Sequence, residues 1–117
     1  MGRLSTHVLD TVNGKPAHGV AIELFAIEGE KRRSVVRTTT NADGRTDAPL
    51  MIGDAFRTGT YELVFAVGGY FKSLATATAD PPFLDVVPVR FTIADPDGHY
   101  HVPLLVSPWS YSTYRGS

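Results

Sequence analysis

Cysteine is absent from the 117 residues. That excludes disulfides, thiolate nucleophiles and cysteine-based zinc sites, and it leaves the compartment open. Net charge is small too: 11 Lys and Arg face 12 Asp and Glu, for −1 overall. A chain so balanced has no electrostatic draw towards nucleic acid or an anionic membrane. No apolar run approaches the roughly 20 residues that cross a bilayer. Met1-Gly2-Arg3-Leu4 enters a strand-like pattern with no leader-like apolar stretch before it. The expectation is a cytoplasmic protein, or a periplasmic one if a leader was removed. A glycine-rich phosphate loop, a dinucleotide fingerprint, internal repeats and low-complexity linkers are also missing.

What remains is ordinary globular composition, 43% hydrophobic and 20% charged, which suits one core and one domain over residues 1–117. Its dominant signal is short apolar runs of period two, separated by Gly, Pro, Asn and Asp clusters. Leu4, Thr6 and Val8 share one face of the first run; Ser5, His7 and Leu9 share the other. Val20, Ile22, Leu24 and Ala26 alternate next, and Arg32 to Thr39 returns as a partner strand. Asn41-Ala42-Asp43-Gly44 reads as a strong turn, with Arg45 directly after it. Tyr61, Leu63, Phe65 and Val67 alternate again, then Val87, Val89, Phe91 and Ile93. His99 to Val106 and Trp109 to Tyr114 close the series. The one helix candidate is Tyr70 to Ala77, after Gly68-Gly69, too short to stand without packing. Seven or eight strands at this spacing predict an all-β, antiparallel sandwich with one short helix.

The residues that could carry chemistry are few. His18 lies in a turn and His99 at a strand start after Asp97-Gly98, and both read as solvated. His7 and His101 lie within strand patterns, on faces opposite Val8, Tyr100 and Val102. A lone strand histidine is more often structural than catalytic, but two meeting on one outer sheet face could serve as general base and acid near neutral pH. Arg45 is either a solvated turn residue or a planar fork for a carboxylate, an imide carbonyl or an enolate. Trp109, Tyr111 and Tyr114 suit either a sandwich core or an aromatic wall. The final Tyr114-Arg115-Gly116-Ser117 brings an aromatic ring, a guanidinium and a hydroxyl with its α-carboxylate into one short stretch. Ser117 has no Gly-x-Ser-x-Gly elbow around it, so it suits holding substrate or water rather than attacking. Three histidines could bind zinc, but the helical His-x-x-x-His pair is absent, which ranks metal catalysis second.

Two long segments then carry a resemblance. Leu4-Ser5-Thr6-His7-Val8-Leu9-Asp10 with Gly14-Lys15-Pro16-Ala17 resembles the opening signature of the transthyretin-related family. His99 to Leu105 with Ser107 to Ser117 resembles its closing signature. Asp43-Gly44-Arg45 and Tyr70 to Leu74 fall where that family has them. The resemblance implies a prealbumin-like sandwich of two four-stranded sheets and a homotetramer built as a dimer of dimers. It puts the active sites in the channel where two dimers meet. It further implies the branch that hydrolyses 5-hydroxyisourate to 2-oxo-4-hydroxy-4-carboxy-5-ureidoimidazoline in urate degradation, with no cofactor and no bound metal. In that branch His7 and His101 would handle protons, and Arg45 would clamp substrate oxygens. Ser117 would position substrate or water, Tyr114 would border the pocket and Arg115 would anchor the tail. The alternatives are a carrier of an aromatic small molecule and a zinc-assisted hydrolase.

Overall fold

A computed structural model describes residues 1–74 and 79–117. The strands are β1 (Arg3–Ser5), β2 (Val8–Asp10), β3 (Lys15–Pro16), β4 (Ala21–Glu28), β5 (Lys31–Thr39), β6 (Met51–Ile52) and β7 (Gly59–Phe65). Helix α1 (Val67–Ser73) follows, then β8 (Val87–Ile93), β9 (His99–His101), β10 (Leu104–Val106) and β11 (Tyr111–Thr113). One layer of the sandwich is the antiparallel sheet β5-β4-β7-β8. The other is made of two smaller sheets, β6-β1-β9 and β11-β10-β2-β3.

These two smaller sheets are halves of one ladder. Ser5 pairs with His101 and Val8 with Leu104 in the same parallel register. Between them, the Val102 N–H donates to the Ser5 carbonyl at 3.0 Å and the Leu104 N–H to the His7 carbonyl at 2.9 Å. Between these two bonds the Val102 carbonyl is taken by the Thr6 hydroxyl in place of a backbone N–H, so the regular ladder lapses there. The first sequence run therefore appears as β1 and β2, with Thr6 and His7 at the break. His7 sits in an isolated bridge to Arg45 rather than inside a strand. Thr6 turns inward at this point and its buried hydroxyl donates to the Val102 carbonyl at 2.7 Å.

The inward alternation explains the core. Ile22, Leu24, Leu63, Phe65, Val87 and Ile93 from one layer meet Leu4, Val8, Val102, Leu104 and Val106 from the other, all buried. Each such side chain contributes about 1.5–3 kcal/mol of burial relative to exposure. The edge strand β8 tolerates Pro88 because an edge position needs no second donor. Strand β5, mostly exposed and carrying Lys31, Arg32, Arg33 and Arg37, is an edge blunted by charge. The helix begins before the stretch read from sequence: Val67, expected to end a strand, opens α1 and is buried with Tyr70 and Phe71. Ala77, expected on the helix face, lies outside the described residues.

Two buried hydroxyls fix the loops around the layer that carries the histidines. The Tyr70 hydroxyl donates to the buried Asp10 carboxylate at 2.7 Å, joining α1 to β2. The Tyr100 hydroxyl accepts the N–H groups of Ala94 and Asp95 at 3.1 and 3.0 Å, holding the turn that leads into β9. No helix among the described residues is long and apolar enough to cross a membrane.

Candidate functional site

The site is built on the outer face of the split layer. Strand alternation turns Tyr100 and Val102 into the core, so His101 faces outward, half-buried. His7, also half-buried, stands beside it with the two ring centres 6.4 Å apart. Residues far apart in the chain meet because β1–β2 and β9–β10 run side by side.

Arg45 reaches this place through the turn before it. The Asn41 side-chain oxygen accepts the N–H groups of Asp43 and Arg45 at 2.9 and 3.2 Å, and the Gly44 N–H donates to the Asn41 carbonyl. The closed turn lies on the start of β2, where the Val8 N–H donates to the Gly44 carbonyl at 2.8 Å. That contact bridges Arg45 to His7 and leaves the guanidinium exposed.

The turn also sets the protonation of His7. Its Nε2 lies 2.8 Å from the Asp43 carbonyl oxygen. A carbonyl only accepts, so Nε2 carries the hydrogen and the neutral ring keeps its lone pair on Nδ1. His101 is held differently, with Nδ1 2.9 Å from the Ser5 hydroxyl oxygen. Both imidazoles titrate below their ordinary value. For each, burial is the larger cause and the Arg45 cation the next; the Asp43 carbonyl and carboxylate partly oppose this at His7, and His7 itself adds to it at His101. At neutral pH the face therefore presents two uncharged imidazoles and one guanidinium.

The tail follows the same alternation. Thr113 pairs with Leu104 and Gly116 with His101, so Tyr114 and Gly116 lie on the histidine side and Arg115 on the core side. Tyr114 is 58% exposed. The Arg115 guanidinium stands 4.4 Å from the centre of the Tyr100 ring, a cation–π seat that ties the tail down. That position is on the opposite side of the layer from His101. Ser117 is exposed beside Gly116. Trp109 and Tyr111 are also exposed, which rules out the core role that their pattern allowed. His18, in a turn, and His99, at the start of β9, are both exposed, as expected.

Sequence reasoning passed over three contributors: Ser5, the Asp43 carbonyl and the bare backbone of Gly116. The only signal for Ser5 was its place two residues before His7 on the same face. The other two act through backbone and leave no side-chain signature. Among the described residues no group of three or more His, Asp or Glu side chains stands close enough to hold a metal ion. A hollow of about 400 Å³ lies along β4, the end of β5 and β7, on the other layer. A smaller cleft of about 220 Å³ lies beside the histidine face, lined by Arg3, Ser5, Arg45 and Asp47 among others. The larger hollow carries one carboxylate, Glu23, held below its ordinary value by bonds from Ser34 and Arg37, whereas the histidine face carries two uncharged imidazoles side by side.

Comparison with known proteins gives a consistent picture. The family model for the HIUase/Transthyretin family matches residues 4–116. A protein of Rhizobium meliloti named 5-hydroxyisourate hydrolase 2 is 60% identical over 116 residues, 99% of this chain and 97% of its own. The solved structure of an (S)-allantoin synthase superposes with a TM-score of 0.94 at 51% identity; 99% of this chain is covered, which spans 44% of that longer protein. Sea bream transthyretin in complex with thyroxine superposes with a TM-score of 0.85 at 31% identity, covering 97% of this chain and 94% of its own.

Proposed function

This chain belongs to the HIUase/transthyretin family, and from that membership we propose the following chemistry for it. It is an enzyme, and its activity is hydrolysis of 5-hydroxyisourate in the degradation of urate. The observation that carries the catalytic assignment is the pair of neutral imidazoles, ring centres 6.4 Å apart, beside an exposed guanidinium. Rings at that separation can both reach one bound water or one edge of a flat substrate.

In this reading water attacks the C6 carbonyl of the six-membered ring and the N1–C6 bond breaks. His7 is the base. Its Nε2–H is committed to the Asp43 carbonyl, so the Nδ1 lone pair is the one available to take the proton from water. His101 gives its Nε2 proton to the departing N1 and takes in exchange the proton that His7 drew from water, so both rings end uncharged. Arg45 holds the substrate oxygens and stabilises the negative charge that develops on the attacked carbonyl. Tyr114 borders the substrate on the same face, and Ser117 positions substrate or water. Arg115 anchors the tail on Tyr100. Acid–base assistance of this kind is worth about 10²–10⁴-fold, and the reading requires no cofactor or metal. One domain over residues 1–117 carries all of these groups.

The working form in this reading is a dimer of dimers, with the pocket completed where two histidine faces meet. Three features support that. The face is open on a single chain. Among the described residues, strands β8 and β11 each stand at the end of their sheet. Beside them the exposed rings of Phe83 and Trp109 stack with centres 6.0 Å apart, an apolar surface that suits a symmetric contact.

The test is an ultraviolet assay in which urate oxidase generates 5-hydroxyisourate and its decay is followed. The chain should accelerate the decay, equally with and without chelator. His101→Asn should slow turnover by about 10²–10⁴-fold while oligomer size stays unchanged. No acceleration by the wild type would return the chain to the carrier reading; loss of rate on chelation would favour the zinc alternative. Near-normal turnover by H101N would remove His101 from the mechanism.

A further inference from the structure

Three residues from separate segments form one row across the outer face. Ser5 is the register partner of His101 in the parallel pair β1–β9, and Gly116 is its partner in the antiparallel bridge. The backbone closes this row tightly: the Gly116 N–H donates to the His101 carbonyl at 2.7 Å and the His101 N–H to the Gly116 carbonyl at 3.2 Å. Each neighbour touches a different edge of the imidazole. The Ser5 Oγ lies 2.9 Å from Nδ1. On the other side, a Cβ added at Gly116 would stand 3.2 Å from the His101 Cβ and 3.3 Å from its Cδ2, closer than side chains ordinarily approach.

We infer that Ser5 is a positioning residue for His101, holding Nδ1 so that Nε2 faces the substrate, and that Gly116 leaves the ring the space to sit there. The inference rests on the reading above, in which His101 moves a proton.

The physical reason lies in the freedom of an exposed imidazole. Rotation about the terminal side-chain bond is broad and nearly two-fold, and a half-turn exchanges Nδ1 with Cδ2 and Nε2 with Cε1. A flipped ring would present carbon where the reaction needs nitrogen. Only one of the two orientations gives the Ser5 hydroxyl a nitrogen to bond, so the hydrogen bond selects it. No other side-chain hydrogen bond to the His101 ring appears among the described residues. A bulkier neighbour at position 116 would press on Cδ2 and tilt the ring away from that bond.

The experiment compares isosteric side chains in the full-length protein. Ser5→Thr keeps the hydroxyl and Ser5→Val replaces it with a methyl group; both suit a strand position. Steady-state kinetics across pH is paired with imidazole ¹⁵N spectra of His101. S5T should stay within about threefold of wild-type kcat, whereas S5V and Ser5→Ala should lose about tenfold, the worth of one net hydrogen bond. KM should change by less than about twofold, and the His101 nitrogens of S5V should give averaged signals in place of a single tautomer. Wild-type kcat and an unaltered His101 spectrum in both S5V and S5A would overturn the inference. The His101→Asn control separates the two levels. If H101N keeps its turnover the catalytic reading fails, whatever Ser5 does. If H101N is inactive and S5V is normal, only the role of Ser5 fails.

Discussion

Replacing Gly44 by alanine should damage both the fold and the site, and the structure says by how much. Gly44 is buried at a φ of +74°. An L-residue in that region costs about 1–2 kcal/mol. Its added Cβ would also run into the Val8 carbonyl oxygen and come within 3.0 Å of the Pro16 Cβ and 3.2 Å of the Ala17 nitrogen. The Val8 carbonyl cannot retreat freely, because it accepts the Ala17 N–H at 2.9 Å. Overpacking of this kind costs a further ~1–3 kcal/mol, so G44A should lose about 2–5 kcal/mol. Gly14 is the internal control. It has a φ of +65° and is exposed, and a Cβ added there would meet nothing within 4 Å. Gly14→Ala should therefore cost only the backbone part, about 1–2 kcal/mol. At roughly 4 °C per kcal/mol for a chain of this size, G44A should melt about 4–12 °C below G14A at equal protein concentration. Relieving the clash lifts the turn, which breaks the Val8–Gly44 and His7–Asp43 bonds and shifts Arg45. Turnover of G44A at a temperature where it remains folded should fall by at least about tenfold, since small misplacements of reacting groups are costly. G14A should retain full activity. Equal melting of the two variants would refute the steric argument. A low-melting G44A with wild-type turnover would refute the claim that this turn places Arg45 and His7.

Charge and acid sensitivity provide the remaining tests. The Arg45 cation helps hold both imidazoles below their ordinary value, so they stay unprotonated, and able to act as bases, further into acid. Arg45→Gln should move the acid limb of the kcat/KM profile to higher pH, whereas Arg45→Lys should leave it near the wild-type position; an unmoved limb in R45Q would break the electrostatic attribution. Tyr70→Phe should destabilise the fold by about 1.5–3 kcal/mol, the range for a hydrogen bond to a charged group, measured by thermal or urea unfolding. Burial pushes the Asp10 carboxyl up, but bonds from Asn13, Tyr70 and Val12 outweigh it and hold the group below the usual carboxylate range. A depressed folded value contributes stability that is present above the unfolded carboxylate value and is lost as pH falls through the folded one. Y70F weakens that depression, so its acid unfolding should begin at higher pH than that of the wild type; coincident acid transitions would contradict this account.

The sequence by itself determined the faces. Period-two alternation set which side chains of the Ile22, Leu63, Val87 and Leu104 runs turn inward, and the same alternation put His7 and His101 on the outer side, because a strand has only two sides to offer. It also located the Asn41–Gly44 turn, since those residue types bond their own backbone. The tertiary structure decided what local periodicity cannot carry. Side-by-side packing of β1–β2 with β9–β10 brings the His7 and His101 rings, from opposite ends of the chain, to within 6.4 Å. The Thr6 hydroxyl, by taking the Val102 carbonyl, interrupts the ladder and leaves that layer as two sheets. The buried faces of Val67, Tyr70 and Phe71 draw the helix earlier than its glycines suggested. Arg115, grouped by adjacency with the substrate residues, is divided from Tyr114 and Gly116 by the pairing of the tail with β9 and β10, which turns it towards Tyr100. Alternation is a property of the backbone and can be read from composition along a line. Proximity across strands depends on register, and register is set only when distant hydrophobic faces close on one core.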